Sequence, residues 1–119
     1  MTLCVCGSRT IPARHPGVLA VLDWLDPAEL RTGDAAGADS IAASWALTHR
    51  RPLVIYRALW ARYKRAAGKR RSAEMVAALP PGSAVVAFYH GFTKSSGTAF
   101  TVDLANEKGL KVIEYVIPE

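Results

Sequence analysis

Short apolar runs alternate along the chain with segments whose apolar residues recur every three or four positions. Runs of this kind, rich in β-branched side chains and bounded by turn residues, are typical of buried strands. They cover residues 2–6, 29–32, 52–57, 83–89 and 111–116. The pattern therefore predicts five strands.

The segments between the first three runs predict two helices, because their apolar residues follow the i, i+3, i+4, i+7 spacing of an amphipathic helix. The first helix carries Val18, Val21, Leu22 and Leu25 at this spacing, and the second carries Ala38, Ile41, Ala42, Trp45 and Ala46. Trp45 is therefore predicted to lie in the core.

Two more helices are predicted in the second half of the chain. Within residues 59–79, the pattern indicates a helix from about Arg70 onward, whereas Gly68 interrupts the part before it. The sequence Pro80-Pro81-Gly82 ends that helix. Residues 90–97 are predicted to form a loop, followed by a helix over residues 98–108 that Gly109 caps.

The alternation of strands and helices predicts an α/β fold. Continuous apolar strands separated by helices are typical of a parallel sheet with helices on both faces. We therefore predict a single Rossmann-like domain over residues 1–119, with a doubly wound five-stranded parallel sheet in the order 3-2-1-4-5. Ligands of such folds bind at the switch point between strands 1 and 4, outside the carboxyl ends of the strands.

Composition excludes several classes of protein. No apolar run approaches the roughly 20 residues that span a bilayer, and the N-terminus lacks the basic and apolar regions of a signal peptide. We expect a cytoplasmic protein without membrane contact. Cys4 and Cys6, on one face of a strand about 7 Å apart, are predicted to be reduced core residues. We expect no metal and no cofactor.

The formal net charge of +5 is unevenly distributed. Seven of the fifteen basic residues lie between positions 57 and 71, with no acidic residue among them: Arg57, Arg62, Lys64, Arg65, Lys69, Arg70 and Arg71. Such a block indicates an anionic partner, either nucleic acid or a phosphorylated small molecule. A solvated helix face is the alternative.

Three loops rich in glycine and small residues follow strands 1, 2 and 4. Their candidate ligand-binding residues are Gly7, Ser8 and Arg9, then Gly33, Asp34, Gly37 and Asp39, then Ser96, Gly97 and Thr98. Glycine allows close backbone approach, and the amides of a helix N-terminus favour a phosphate. Each loop alone is compatible with an ordinary turn or cap, but three at one edge beside a basic block indicate a binding site. The GxxxxGK[ST] and GxGxxG fingerprints are absent.

Four segments also carry a family resemblance: CVCGSRT, TGDAAGADSIAASWA, LWARYKRAAGKRRSAEM and the SSGT loop, in that order. Together they resemble the YspA-like branch of the SLOG superfamily, which is related to the LOG (lysine decarboxylase-like) proteins and to the Rossmann-like core of DprA. The resemblance covers about residues 3–115. It implies a Rossmann-like domain that binds nucleotides or nucleotide-derived ligands.

The resemblance also implies site residues. The family's GSR turn matches Gly7, Ser8 and Arg9, and its GGxxGAD loop matches Gly33, Asp34, Gly37, Ala38 and Asp39. Its W-x-x-Y segment matches Trp60 and Tyr63, its R-N/K-x-x-M pattern matches Arg71, Ser72 and Met75, and its glycine-threonine loop matches Gly97 and Thr98. Asp34 replaces the second glycine, and a carboxylate there could repel a phosphate.

Two departures from the LOG phosphoribohydrolases bear on catalysis. Their PGGxGTxxE motif ends in a Glu that acts with an Arg. Arg71 matches the Arg, but Thr101 stands at the Glu position and cannot act as a carboxylate acid or base. The loop HGFTKSSGT also lacks the compact PGG, and Asp103 lies about 200° further around the helix.

Three functions follow as expectations. The first is binding of a nucleotide-derived ligand with little turnover. The second is hydrolysis of a nucleotide, with Asp34 or Asp39 supplying the acid or base beside Arg71. The third is nucleic-acid binding by the basic block, with Trp60 and Tyr63 either stacking on bases or covering a helix–sheet seam.

Relatives often form dimers, so a homodimer is also an expectation, and Trp24 either packs in the core or marks an oligomer surface.

Overall fold

In residues 1–91 and 95–119, which the computed structural model describes, five parallel strands form a sheet. The strands are β1 (Thr2–Gly7), β2 (Glu29–Gly33), β3 (Leu53–Tyr56), β4 (Ala84–His90) and β5 (Lys111–Ile117). Their order across the sheet is β3-β2-β1-β4-β5, and every neighbouring pair is parallel. The predicted fold class and strand order are confirmed.

The first strand lies at the centre of the sheet. Its register pairs Thr2 with Glu29 of β2 and Leu3 with Ala84 of β4. The chain adds β2 and β3 on one side of β1 and then crosses over to add β4 and β5 on the other. The connections after β1 and β4 therefore leave on opposite faces of the sheet, and a crevice opens between them.

Helices cover both faces of this sheet. They are α1 (Pro16–Leu25), α2 (Ala38–Thr48), α3 (Trp60–Tyr63), α4 (Ala67–Ala77) and α5 (Ser96–Glu107). Residues of α1 and α2 pack in one core cluster with Leu3 and Val5, whereas residues of α4 and α5 pack in a second cluster with Cys4 and Cys6. Successive residues of β1 thus serve opposite faces, as the pleat of a strand requires.

The segment after β3 differs from its prediction. Gly68 lies inside α4, which begins at Ala67 rather than near Arg70. The short helix α3 and a 3-10 turn over Lys64–Ala66 precede it. A glycine so near a helix start costs little, because the first amides have no intrahelical acceptor to lose. The ring of Trp60 packs against Gly68, at 3.5 Å from the place of a Cβ.

The start of α5 also differs by two residues. The helix begins at Ser96 because the Ser95 hydroxyl accepts a hydrogen bond from the Thr98 amide at 3.4 Å, which places the N-cap at Ser95. Of the loop predicted over residues 90–97, His90 belongs to β4. Positions 92–94 lie outside the described residues.

Other sequence expectations concern single side chains. Trp45 is buried and Trp24 is 77% exposed, so the core alternative for Trp24 is wrong. Cys4 and Cys6 are free and buried, as predicted. In the described part of the chain, no helix is long and apolar enough to cross a membrane.

Candidate ligand-binding site

A cavity of about 310 Å³ opens at the carboxyl edge of the sheet, on the face that α4 and α5 cover. Its walls are the end of β1, the loop after β2, the first turns of α4 and α5, and Trp60 of α3. The volume falls at the lower end of the range for small-molecule sites. The cavity lies at the switch point, where this fold predicts a ligand.

Gly7 ends β1 at the floor of the cavity. A Cβ at this position would lie 2.6 Å from the Ala38 Cβ and 2.6 Å from the Phe88 carbonyl oxygen. The Ser8 amide donates to the same carbonyl at 2.8 Å. Glycine is therefore required here because β1, β4 and the start of α2 approach one another closely, whether or not a ligand is present.

The first turn of α5 forms one wall. The amides of Ser96 and Gly97 lie in this turn, where a helix offers no internal acceptor, and both residues are exposed. Gly97 differs from Gly7, because the nearest atom to an added Cβ is the Ser95 hydroxyl at 3.9 Å. Within residues 1–91 and 95–119, packing does not require glycine at position 97. The turn combines free donors, the positive end of the helix and open space.

Four basic side chains line the cavity: Arg9, Arg65, Lys69 and Arg71. Arg9 comes from the turn after β1, Arg65 from the 3-10 turn, and the other two from α4. Asp39 is the one carboxylate that lines the cavity among residues 1–91 and 95–119. The electrostatic potential of the cavity is therefore positive, which attracts anionic ligands.

Arg71 is held in place by an ion pair. Its Nη1 donates to Asp34 Oδ1 at 2.6 Å and to the Tyr56 carbonyl at 3.4 Å, and its side chain is 10% exposed. The Asp34 carboxylate also accepts the Ala58 amide at 3.2 and 3.3 Å. Asp34 does not line the cavity. Its charge is compensated, so a phosphate in the cavity would meet an ion pair rather than a free carboxylate.

One buried donor of Arg71 remains unused. Nε is buried and has no hydrogen-bond partner within the part of the chain that the structure describes. A buried donor without an acceptor costs about 1–3 kcal/mol. An anionic oxygen that enters the cavity beside this guanidinium would supply an acceptor.

Asp39 faces Arg71 across Gly33. A Cβ on Gly33 would lie 2.5 Å from Arg71 Nη1 and 2.7 Å from Asp39 Oδ2, so a larger residue there would displace one of these side chains. Asp39 lies in the first turn of α2 and accepts the Ala35 amide at 3.2 Å. Burial raises the pKa of Asp39 from 3.8 to about 6, although the Ala35 hydrogen bond and the charge of Arg71 oppose the shift.

The structure separates the two aromatic candidates. Trp60 lines the cavity and is 48% exposed as a residue, and the Arg9 guanidinium lies 5.9 Å from the centroid of its ring. Tyr63 does not line the cavity, and its ring contacts the guanidinium groups of Arg62 and Arg70 instead. The basic block is thus divided between the cavity and an outer surface around Tyr63.

The predicted site residues fall into two groups. Gly7, Arg9, Asp39, Trp60, Arg71, Ser96, Gly97 and Thr98 line the cavity, whereas Ser8, Gly33, Asp34, Gly37 and Tyr63 do not. In the second group, Asp34 holds Arg71 and Ser8 orders the loop after β1. The Ser8 hydroxyl bonds the Thr10 hydroxyl at 2.8 Å and accepts its amide at 3.2 Å. The Ser8 carbonyl accepts the Ala38 amide at 3.2 Å, which joins the loops after β1 and β2.

Sequence reasoning missed several residues that line the cavity. Arg65 and Lys69 were noted only as part of the basic block, and Ser95 and Phe100 were not assigned to the site. The i, i+4 spacing of Ser96 and Phe100 on α5 was the available signal for Phe100, because such residues share a helix face. Thr101 also lines the cavity, and its hydroxyl donates to the Gly97 carbonyl at 3.1 Å.

Within the described ranges, no group of three or more His, Cys, Asp or Glu residues is placed to hold a metal ion. Comparison of the chain with protein-family models, with curated proteins and with solved structures finds no match. The family resemblance of the sequence stays a prediction.

Proposed function

We propose that the protein binds a nucleotide or nucleotide-derived ligand in this cavity and senses or sequesters it with little or no turnover. A phosphate group would accept hydrogen bonds from the backbone amides of Ser96 and Gly97, and the base of the nucleotide would contact Trp60. The observation that carries the proposal is the convergence of four basic side chains, the first turn of α5 and two aromatic rings on one cavity. The phosphate of a nucleotide needs cations and helix amides, its base needs an aromatic ring, and this cavity places the two side by side.

The carboxylates favour binding over hydrolysis. Hydrolysis of the LOG type needs a carboxylate at the position of the family's glutamate on α5, whereas Asp39, the one carboxylate of the cavity among the residues described, lies on α2. Asp34 is engaged by Arg71 and Ala58. Thr101, which matches the family's glutamate, uses its hydroxyl within α5.

A panel of nucleotides tests the proposal by thermal shift, with AMP, ADP, cyclic AMP, NAD and ADP-ribose as probes. A ligand at 100 times its dissociation constant adds about 2.7 kcal/mol to the free energy of unfolding. We expect at least one member to raise the melting temperature. Oligonucleotides in the same thermal-shift panel test the alternative function, nucleic-acid binding.

Gly97→Ala provides the matched variant. Among the residues that the structure describes, the added methyl group has the Ser95 hydroxyl as its nearest neighbour at 3.9 Å, and alanine favours a helix over glycine by up to about 1 kcal/mol. The variant should be as stable as the wild type or more so. It should nevertheless bind the ligand roughly tenfold more weakly, because the methyl group crowds the space a phosphate needs. Unchanged affinity in Gly97→Ala would place the ligand elsewhere.

One observation favours hydrolysis as a second candidate. A pKa of about 6 suits Asp39 for proton transfer near neutral pH. Chromatography of the same incubations measures turnover. Products that form with the wild type and are lost with Asp39→Asn would replace the binding proposal with an enzymatic one.

A further inference from the structure

We propose that the ligand of this cavity carries at least two phosphate groups. The first would lie at the first turn of α5, and the second among Arg9, Arg65 and Lys69, which we name the rim cations. The inference rests on the proposed function, since it specifies the ligand class of the same cavity. It goes beyond that function by excluding nucleosides and nucleoside monophosphates as the preferred ligands.

The first step is the balance of charge. Arg71 is compensated by Asp34 at 2.6 Å, so this ion pair contributes little net charge. No carboxylate of the described residues lies within 4.0 Å of any rim cation. Three positive charges therefore stand around a cavity with one carboxylate, Asp39. Like charges gathered at one opening repel one another unless an anion lies between them.

The second step is position. The Arg9 guanidinium lies 5.9 Å from the centroid of the Trp60 ring, and the Lys69 ammonium lies 5.4 Å from that of Phe100. Both rings line the cavity. Attraction between a cation and a ring face restrains these two side chains at the opening, which reduces the ordering cost when an anion binds.

The third step compares the donors with the ligand. A phosphate monoester brings a charge of about −1.5 to −2 at neutral pH. The amides of Ser96 and Gly97 and the unused Nε of Arg71 offer hydrogen-bond donors for one such group, and the helix end offsets about half a unit of its charge. The rim cations then remain without an anionic partner, and a second phosphate group would bind among them.

The experiment compares probes that differ by one phosphate group: inorganic phosphate with pyrophosphate, and AMP with ADP. Affinities are measured by calorimetry at one fixed salt concentration, because phosphate binding depends on salt. We expect the second phosphate group to tighten binding roughly tenfold, as for charge-assisted hydrogen bonds. The inorganic pair makes the test independent of the base.

Two double variants separate the rim cations from general positive charge. Arg65→Gln with Lys69→Gln removes two rim cations, and Arg62→Gln with Arg70→Gln removes two cations of the same block that lie at Tyr63 outside the cavity. Both lower the net charge by the same amount. We expect the first to reduce the preference for the second phosphate group to less than about threefold, and the second to keep it.

Equal affinity for one and two phosphate groups in the wild type would overturn the inference while leaving a nucleotide-binding function intact. An equal loss in the two double variants would also overturn it, since the effect would then be net charge alone. If pyrophosphate binds more tightly than phosphate but no nucleotide binds, the inference stands and the proposed function fails.

Discussion

At the scale of the residue, the chemistry of a side chain here is set by neighbours that are distant in sequence. Asp34 would repel a phosphate if it stood free, but Arg71, 37 positions away, takes up its charge. Asp39 shows the reverse effect, because burial makes its charge costly despite the nearby guanidinium. The two carboxylates of one loop therefore have different roles.

The pH dependence of stability should report the burial of Asp39. Because the pKa rises from 3.8 to about 6 on folding, the folded protein holds a proton that the unfolded chain has lost between these pH values. Stability from this group is thus present below about pH 4 and falls as the pH rises to about 6. We therefore compare the free energy of unfolding of the wild type with that of Asp39→Asn. The wild-type value should fall relative to the variant's by about 2 kcal/mol between about pH 4 and pH 7.5.

Urea unfolding of both proteins across this range measures the difference. Asp34→Asn is a suitable comparison, since its side chain is 27% exposed and its loss breaks an ion pair instead. A constant difference between wild type and Asp39→Asn at all pH values would contradict the raised pKa.

At the scale of the element, the cavity depends on how α4 and α5 are held together. Lys108, just beyond the end of α5, donates from Nζ to the carbonyls of Val76, Ala77 and Leu79 at 2.9, 3.0 and 2.8 Å. Val76 and Ala77 end α4 and Leu79 lies just beyond it. The carbonyls of a helix end lack the amide four residues further on, although that of Val76 also accepts the Leu79 amide at 3.2 Å. One ammonium thus caps α4 and fixes it to α5.

Lys108→Met should remove this cap and keep most of the aliphatic contact. We expect a loss of about 1–2 kcal/mol in the free energy of unfolding, because up to three carbonyls lose a charged donor. Lys111→Met, which removes an exposed lysine at the start of β5, is the control and should change stability by less than about 0.5 kcal/mol. Chemical denaturation measures both, and equal effects would refute the capping role.

At the scale of the whole molecule, the single strand β1 contributes residues to both core clusters. Leu3 and Val5 belong to the cluster under α1 and α2, while Cys4 and Cys6 belong to the cluster under α4 and α5. The second cluster cannot open around Cys4 without separating α4 and α5 from the centre of the sheet. Exposure of the fully buried Cys4 thiol therefore requires extensive unfolding, whereas Cys6, 6% exposed, borders the cavity.

Thiol labelling should measure that unfolding. Burial raises the pKa of Cys4 to about 12 and that of Cys6 well above its ordinary value, so both native thiols are un-ionised. Cys4 is fully buried, and Cys6 lies at the edge of the cavity. We expect labelling in native buffer to be at least about 1000-fold slower than in denaturant, in line with ordinary domain stability. A saturating ligand should slow it further. Rapid labelling of native protein would contradict the closed core.

The sequence determined the layers of this protein, because hydrophobic periodicity and handed crossovers leave few arrangements for five strands and their helices. It also placed Arg9, Gly97 and Thr98 at the correct edge, because loops after parallel strands share one edge of the sheet. Boundaries near Gly68 and Ser95 were less predictable, since tertiary contact and a cap decided them.

Only the tertiary structure decided which residues of the basic block serve the cavity. Arg65 and Lys69 line it and Arg62 does not, because the 3-10 turn between α3 and α4 directs neighbouring side chains to different surfaces. It also paired Arg71 with Asp34 and buried Asp39. Periodicity reports which face of an element is apolar, whereas the charge state and partner of a side chain depend on atoms that the chain brings together only when it folds.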